Sequence, residues 1–250
     1  MRMKILGSDI DGTLTVGGID REKCEAIRAW RRAGHLFGLV SGRGPSYLEH
    51  LKAQYPDLEM DFFAAFNGAF IVDFQGTPLH TTPCHGVPSH ELTEFLLDAG
   101  CPFIFVNGET CYTVKPDGAP LTEGEIHLSQ LPRDLAYFHQ ISVQLETPAR
   151  AAVVTAEVKA AYGNRLNPLQ NNICIDIVAP TVNKAFGLRQ VAALYDGAEA
   201  DIIAVGDNLN DLDMLKAFRS YAMENGVEEV KQAARQTVKT VTELIYRELT

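Results

Sequence analysis

The sequence predicts an α/β fold, a parallel-sheet core interrupted by an inserted α+β segment, and three observations carry that expectation. Short apolar runs in the first eighty residues each end in a turn and then a helical pattern. The texture changes between about Thr82 and Ala179, and the first texture returns after Pro180. Strands alternating with helices favour parallel pairing with crossover helices, in which ligands sit beyond the carboxyl ends of the strands. At roughly 150 residues per domain, a chain of 250 residues allows one large domain or two modest ones.

The elements follow in order. Lys4 to Ser8 reads as the first strand, followed by a Gly-rich loop and a helix over Asp20 to Ala33. Asp20 is its expected cap, Glu22 and Glu25 suit its first turns, and Gly34 is its stop. His35 to Val40 is the second strand; Ser41-Gly42-Arg43-Gly44-Pro45 leads from it into a helix over Ser46 to Gln54, and Phe62 to Phe66 is the third strand. Trp30 and Phe37 are expected in the core.

In the insert, a helix is expected over Ser89 to Ala99 and strands over Phe103 to Val106, Thr110 to Lys115 and Gln140 to Glu146. A second helix, Ala149 to Tyr162, precedes Asn172 to Val178, whose Ile173, Ile175 and Ile177 alternate as in a strand with one buried face. Phe103, Phe105, Tyr112 and Phe138 are assigned to the insert's own sheet core. After Pro180 come a helix over Lys184 to Leu194, a buried strand over Asp201 to Val205, and a helix from near Asn210. A short strand at Ser220 to Met223 and helices at Val227 to Ala234 and Val241 to Glu248 complete the chain. The expected division is 1–81 with 180–250 as core and 82–179 as insert.

Composition excludes several classes. Hydrophobic residues at 46% and charged residues at 22% describe a folded chain rather than a disordered or collagenous one. A net charge of −10 argues against general nucleic-acid binding, because no cationic surplus exists to neutralise phosphates. Cys24, Cys84, Cys101, Cys111 and Cys174 stand singly, so reduced thiols are expected rather than disulfides or zinc. The seven histidines form no metal-ligand pair; Cys84 and His85 fall at the expected hinge of the insert. Without a leader pattern or an 18-residue apolar run, the cytoplasm is the expected location and no membrane partner is implied.

The chemistry concentrates at strand ends. Ser8-Asp9-Ile10-Asp11-Gly12-Thr13-Leu14 places two carboxylates where an apolar strand breaks into a loop. Like charges so close repel unless a hard cation such as Mg²⁺ neutralises them; the alternative is an Asx turn or cap. Gly206-Asp207-Asn208-Leu209-Asn210-Asp211 repeats the situation after a second buried strand. One of its side chains can cap the following helix, but Asp207, Asn210 and Asp211 together form an oxygen-rich ligand set. Between these clusters lie Ser41-Gly42-Arg43 and, at a helix start, Lys184. A hydroxyl, helix-start N–H groups and an ammonium suit a phosphoryl group.

The ordered set DxDGTL, SGR, a lone Lys and GDxxND resembles the haloacid dehalogenase superfamily, specifically Cof-type phosphatases with a large inserted cap. The likeness spans Asp9 to Asp211. It implies a Rossmann-like core, an α+β cap that sets specificity by opening and closing, and Mg²⁺-dependent hydrolysis of a small phosphorylated metabolite, with a sugar phosphate first. By this resemblance Asp9 is the nucleophile that becomes an aspartyl phosphate, Asp11 the general acid/base, Ser41 the phosphate-binding hydroxyl and Lys184 the cation beside nucleophile and phosphoryl oxygens. Asp9, Asp207 and the Asp11 carbonyl would hold the metal, with Asn210 and Asp211 as ligands or neighbours and Gly42 in the phosphate loop. Asn67-Gly68 resembles a pair at the substrate entrance, although Asn-Gly is also a hairpin-turn dipeptide. Arg43 resembles the arginine of the second motif, or pairs with a carboxylate on the core surface.

Gly7-Ser8 before the nucleophile and Asn183 before the lysine depart from the common wording of the family. A phosphomutase would need clustered cations in the insert, which offers only Lys115, Arg133, Arg150, Lys159 and Arg165. A signalling receiver or a non-catalytic metabolite-binding protein are the rivals from other classes.

Overall fold

The computed structural model describes residues 2–250. One compact unit comprises the chain up to Thr81 together with Asn183–Thr250; the other comprises Thr82–Val182. The expected second boundary at 179/180 moves to 182/183. Residues 179–182 form a turn, Val182 N–H to Ala179 carbonyl at 3.0 Å, and the Asn167 amide ties the Val182 carbonyl at 2.8 Å.

The discontinuous unit begins with β1 (Ile5–Ser8), α1 (Arg21–Arg32), β2 (Leu36–Val40), α2 (Tyr47–Gln54), β3 (Phe62–Ala65), β4 (Phe70–Asp73) and β5 (Pro78–Thr81). The Asp20 carboxylate caps α1 by accepting from Lys23 N–H at 2.9 Å, and Gly34 ends it at φ +84°.

The contiguous unit follows with α3 (Ser89–Asp98), β6 (Ile104–Asn107), β7 (Cys111–Lys115), β8 (Glu125–His127), β9 (Gln140–Gln144), α4 (Pro148–Tyr162), β10 (Asn167–Asn171) and β11 (Cys174–Val178). The first unit then resumes with α5 (Lys184–Leu194), β12 (Ile202–Gly206), α6 (Leu212–Ala217), β13 (Arg219–Met223), α7 (Glu228–Ala233), β14 (Gln236–Val238) and α8 (Val241–Leu249).

The first unit is an eight-stranded sheet in the order β14-β13-β12-β1-β2-β3-β4-β5, parallel from β14 to β3 and antiparallel beyond. Both faces are covered, so β1, β3 and β12 are buried at every position rather than at alternate ones. Leu6, Phe63, Ile203 and Val205 pack with Trp30, Phe37 and Leu244 on one face. Their neighbours Ile5, Phe62, Ile202 and Ala204 pack with Leu188, Val191 and Met214 on the other. Trp30 and Phe37 are fully buried core residues, as expected. The chain leaves β1 towards β2 on one side and returns at β12 on the other. The β1/β12 carboxyl ends are therefore the switch point where such sheets bind ligands.

The second unit is a six-stranded sheet, β10-β11-β9-β6-β7-β8, antiparallel except for β7 with β8. Its α3 packs on β6, and its α4 on β10 and β11. Ile104, Val106, Ile141, Val143, Ile175 and Ile177 are buried. Alternation turns Phe105, Asn107, Ser142 and Asp176 to the opposite face. Phe105 is therefore 39% exposed, correcting its assignment to the sheet core; Phe103 and Tyr112 are half-buried, while Phe138 is fully buried. No disulfide forms: Cys24, Cys84 and Cys101 are buried free thiols, and Cys111 and Cys174 are unpaired with more exposure. Among the described residues no helix is long and apolar enough to cross a membrane.

Candidate active site

Asp9 leaves β1 directly into a kinked turn, Ile10–Leu14, closed by Leu14 N–H to Asp9 carbonyl at 3.3 Å and Thr15 N–H to Ile10 carbonyl at 3.1 Å. Such i→i+5 turns interrupt regular structure and frequently mark functional sites. Gly12 sits at φ +77°, and a Cβ there would fall 2.4 Å from Asp207 Oδ2. The DxDG glycine thus serves both the turn and the approach of the second acidic loop.

Asp207 follows β12, the strand beside β1. The Ser8↔Val205 register and the Asp9 N–H to Val205 carbonyl bond at 3.0 Å bring the two acidic loops together. Lys184 begins α5, capped by Asn183, whose Oδ1 accepts from Phe186 N–H at 2.8 Å and whose amide donates to Asp213 at 2.9 Å. Asn183 therefore supplies the cap that a hydroxyl residue would otherwise provide. Helix α5 lies so close to the β3–β4 turn that a Cβ on Gly68 would meet Gly187 Cα at 2.6 Å. The other departure, Gly7, lies beneath Leu188 of the same helix.

The buried Lys184 ammonium donates to Asp9 Oδ1 at 2.5 Å and to Asp211 Oδ1 at 2.6 Å. Asp211 Oδ2 accepts from the N–H groups of Asp207 and Asn208 at 2.9 and 3.0 Å, and Asp207 Oδ1 accepts from the Thr13 hydroxyl at 2.6 Å. Asp211 thus closes the tight turn Leu209–Asp211 and pairs with the lysine, and its side chain does not cap α6, the role the sequence left open for it. Asn210 lies half-buried in the turn Leu209–Asp211, with no side-chain hydrogen bond to these carboxylates among the described residues.

Two of the three carboxylates share one lysine, and ligand oxygens of Asp9, Asp207 and Asp211 lie within 4.8 Å of one another. Burial pushes the Asp9 carboxyl up to about 7; Lys184 opposes this, and Asp211 and Asp207 add to it. Asp207 is raised for the same first reason, burial. For Lys184, burial alone would lower the pKa, but the Asp211 and Asp9 charges outweigh it and raise it. No protein donor among the described residues meets Asp9 Oδ2 or Asp207 Oδ2. An all-oxygen set with surplus negative charge fits a hard divalent cation such as Mg²⁺.

Ser41 follows β2, buried, with its hydroxyl accepting from Arg43 N–H at 3.3 Å. Its carbonyl accepts from Asn67 N–H at 2.7 Å, and Arg43's carbonyl accepts from Phe66 N–H at 3.0 Å, so the loops after β2 and β3 are tied together. Asn67 is fully buried at φ +56° in the turn between antiparallel β3 and β4, a turn part that the Asn-Gly reading allowed. Gly42 lies between Ser41 and Arg43. The Arg43 guanidinium grips Asp11, Nε to Oδ2 at 2.7 Å and Nη2 to Oδ1 at 2.9 Å. This is the surface-carboxylate pairing open from the sequence, made with the second aspartate of the motif itself.

Three contributors carried no role in the sequence reading. Thr13 is quoted in the first motif, yet its bond to Asp207 spans 194 positions. Asn225, whose amide donates to the Gly12 carbonyl at 2.8 Å, sits in a polar turn with no helical or strand signal. Lys23 is buried in α1 and its ammonium donates to the carbonyls of Leu14, Val16 and Gly18 at 2.6, 2.8 and 2.5 Å, bracing the loop after the acidic turn. A lysine on an otherwise ordinary helix gives no sequence signal for this.

Comparison with known proteins supplies the family. The family model of haloacid dehalogenase-like hydrolases matches residues 6–244. The chain belongs to that family, and its resemblance to the Cof-type members holds.

Among curated relatives, the 5-amino-6-(5-phospho-D-ribitylamino)uracil phosphatase YbjI of Escherichia coli (strain K12) is 27% identical over 250 residues, covering 94% of this chain and 90% of that protein. Among solved structures, a HAD/COF-like hydrolase from Plasmodium vivax aligns with TM-score 0.79 at 20% identity, over 99% of this chain and 95% of the other. The subclass IIB sugar phosphatase BT4131 aligns with TM-score 0.78 at 18% identity, over 98% and 99%. The chain is a haloacid dehalogenase-type hydrolase with an inserted cap, and phosphatase is the enzyme class its relatives carry.

Proposed function

We propose that this protein is a Mg²⁺-dependent phosphomonoester hydrolase that works through an aspartyl phosphate. The observation carrying this reading is Asp9, a buried carboxylate at the switch point, held on one oxygen by Lys184 and with no hydrogen bond to its other oxygen among the described residues. In the first step Asp9 attacks phosphorus while a proton from Asp11 goes to the departing oxygen. In the second, Asp11 takes a proton from the water that opens the acyl phosphate. Ser41 and the Lys184 ammonium hold the phosphoryl oxygens. Asp9 and Asp207, with the Asp11 carbonyl, would hold Mg²⁺, which supplies charge neutralisation for the transferring group. Asp211, already engaged by Lys184 and two backbone N–H groups, positions both loops.

The substrate we favour is a sugar phosphate or a similar small polyhydroxylated phosphate. YbjI, a 5-amino-6-(5-phospho-D-ribitylamino)uracil phosphatase, and BT4131, a sugar phosphatase, support that class. The inserted unit, 82–179 by sequence, is assigned the choice of substrate. The sheet face away from its helices carries Asn107, Gln140, Ser142 and Asp176, groups suited to hydroxyls. A phosphomutase is less well supported, because a bisphosphate needs available cations. In this unit Lys115 is engaged by Glu125 at 2.8 Å and Arg150 by the Ala99 carbonyl.

The test is phosphate release from a panel of phosphorylated sugars, nucleotides and small organic acids, with Mg²⁺ and with excess chelator. Turnover that disappears with chelator and in Asp9→Asn is the expected result. Turnover indifferent to Asp9→Asn would overturn the nucleophile assignment, and transfer to a sugar bisphosphate without net phosphate release would favour the mutase.

A further inference from the structure

We infer that Arg43 is the positioning residue of Asp11, fixing in place the carboxyl that serves the leaving oxygen; the inference rests on the phosphatase reading. Asp11 has 58% of its side chain exposed on a kinked turn. Alone, such a side chain is free to populate several staggered rotamers. Here both of its oxygens are taken by one planar fork, at 2.7 and 2.9 Å. A bidentate arginine adds geometric definition that a point charge lacks.

The fork is itself held. Its guanidinium carbon lies 4.1 Å from the centre of the Tyr47 ring. The backbone of Arg43 is pinned on both sides, N–H to the Ser41 hydroxyl and carbonyl to Phe66 N–H. A side chain at the next residue, Gly44, would press on the Phe66 ring at 3.0 Å. The arginine is thus held by the loop after β2, the turn after β3 and the first turn of α2, and it delivers its fork to a catalytic carboxylate that, among the described residues, has no other side-chain hydrogen bond.

The balance of the reaction explains the arrangement. As the Asp9 oxygen–phosphorus bond forms, the ester phosphorus–oxygen bond breaks, and its electron pair stays on the leaving oxygen, which takes the Asp11 proton. A protonated carboxyl keeps one oxygen that only accepts, so Arg43 holds Asp11 by that oxygen while the other delivers its proton, and the fork closes on both oxygens once the proton has gone. The carboxylate then stands where it takes a proton from water as the water oxygen–phosphorus bond forms and the Asp9 oxygen–phosphorus bond breaks. An arginine serving only as a phosphate clamp would instead aid every phosphate ester alike.

The experiment compares the best alkyl phosphate of the panel with 4-nitrophenyl phosphate, whose leaving group departs without needing a proton. Wild type, Asp11→Asn, Arg43→Ala, Arg43→Lys and the Asp11→Asn/Arg43→Ala double variant are assayed, with circular dichroism to verify folding. Arg43→Ala should lower the alkyl-to-aryl ratio of kcat by roughly tenfold or more, in the direction of Asp11→Asn. Arg43→Lys should restore little of it, and the double variant should match Asp11→Asn. Equal losses on both esters, a kcat ratio unchanged, or additive losses in the double variant would overturn the inference while leaving the phosphatase reading intact. Turnover surviving in Asp9→Asn, or a wild type inert to every phosphate, would overturn both.

Discussion

Asp9 and Asp11 stand two residues apart in one turn, carry the same functional group, and live in opposite surroundings. Asp9 has 11% of its side chain exposed and is paired with a lysine that is itself buried; Asp11 has 58% exposed and is paired with a half-exposed arginine. Burial and two neighbouring carboxylates make Asp9 an electrostatically expensive anion that a cation relieves. Asp11 is open to water and held only by geometry. Two jobs are thereby divided between chemically identical groups by environment alone, one suited to bonding phosphorus and the other to moving protons.

The sharpest way to break this comparison is Asp9→Asn, which should reduce turnover by at least ~10³ on every substrate because it removes the attacking oxygen. Initial rates on alkyl and aryl phosphates check it, and a loss confined to one class would exchange the roles of the two aspartates. Lys184→Arg comes next. It keeps the charge but replaces a compact ammonium that bridges Asp9 and Asp211, so kcat should fall by roughly 10²-fold. A binding titration with inorganic phosphate should weaken as well. Lys184→Ala additionally leaves buried carboxylates without their cation, at about 3–5 kcal/mol of stability, measurable by denaturant unfolding.

A smaller effect sharpens the metal side. Thr13→Val removes the hydroxyl that orients Asp207 and should weaken Mg²⁺ activation by roughly ten- to hundredfold, with little change at saturating Mg²⁺. Smallest is a pH effect on stability. Asp9 holds its proton to about 7 when folded but only to its ordinary 3.8 when unfolded. Between those values the folded state binds more protons, so this group's contribution favours folding at low pH and is lost as pH rises towards 7. In metal-free protein the Asp9→Asn variant should lack that decline, and Mg²⁺ should raise Tm more at pH 8 than at pH 5. A Tm increment independent of pH would count against Mg²⁺ binding at Asp9.

Legibility in the sequence tracked length and periodicity. Helix α5 appeared with its full extent, because Asn183 marks its start and its apolar positions recur on one face. Strands β8, β10 and β14 escaped. Glu125–His127 and Gln236–Val238 are three residues long, and Asn167–Asn171 opens Asn-Pro, which reads as a turn. The expected helix near Asn210 starts with a tight turn, Leu209–Asp211, before α6. Phe105 was misplaced because hydrophobicity says that a side chain prefers burial, whereas only pairing says which face of a strand the helices cover. At the site, the motifs supplied residue types, but the partnership of Arg43 with Asp11 and of Thr13 with Asp207 depends on loops that meet only in the folded chain.

The interleaving of the two units also sets a timetable. Lys184 is 175 residues after Asp9, so a ribosome adding about 5–20 residues per second needs roughly 9–35 s to supply the nucleophile's partner. Strand β1 waits equally for β12, its neighbour on one side. Thr82–Val182 is continuous and can collapse on its own while the strands before it are still missing three of the eight strands of their sheet. The Asp9 carboxylate is consequently among the last parts of the nascent chain to reach its buried setting, long after it was the first part of the site to be synthesised.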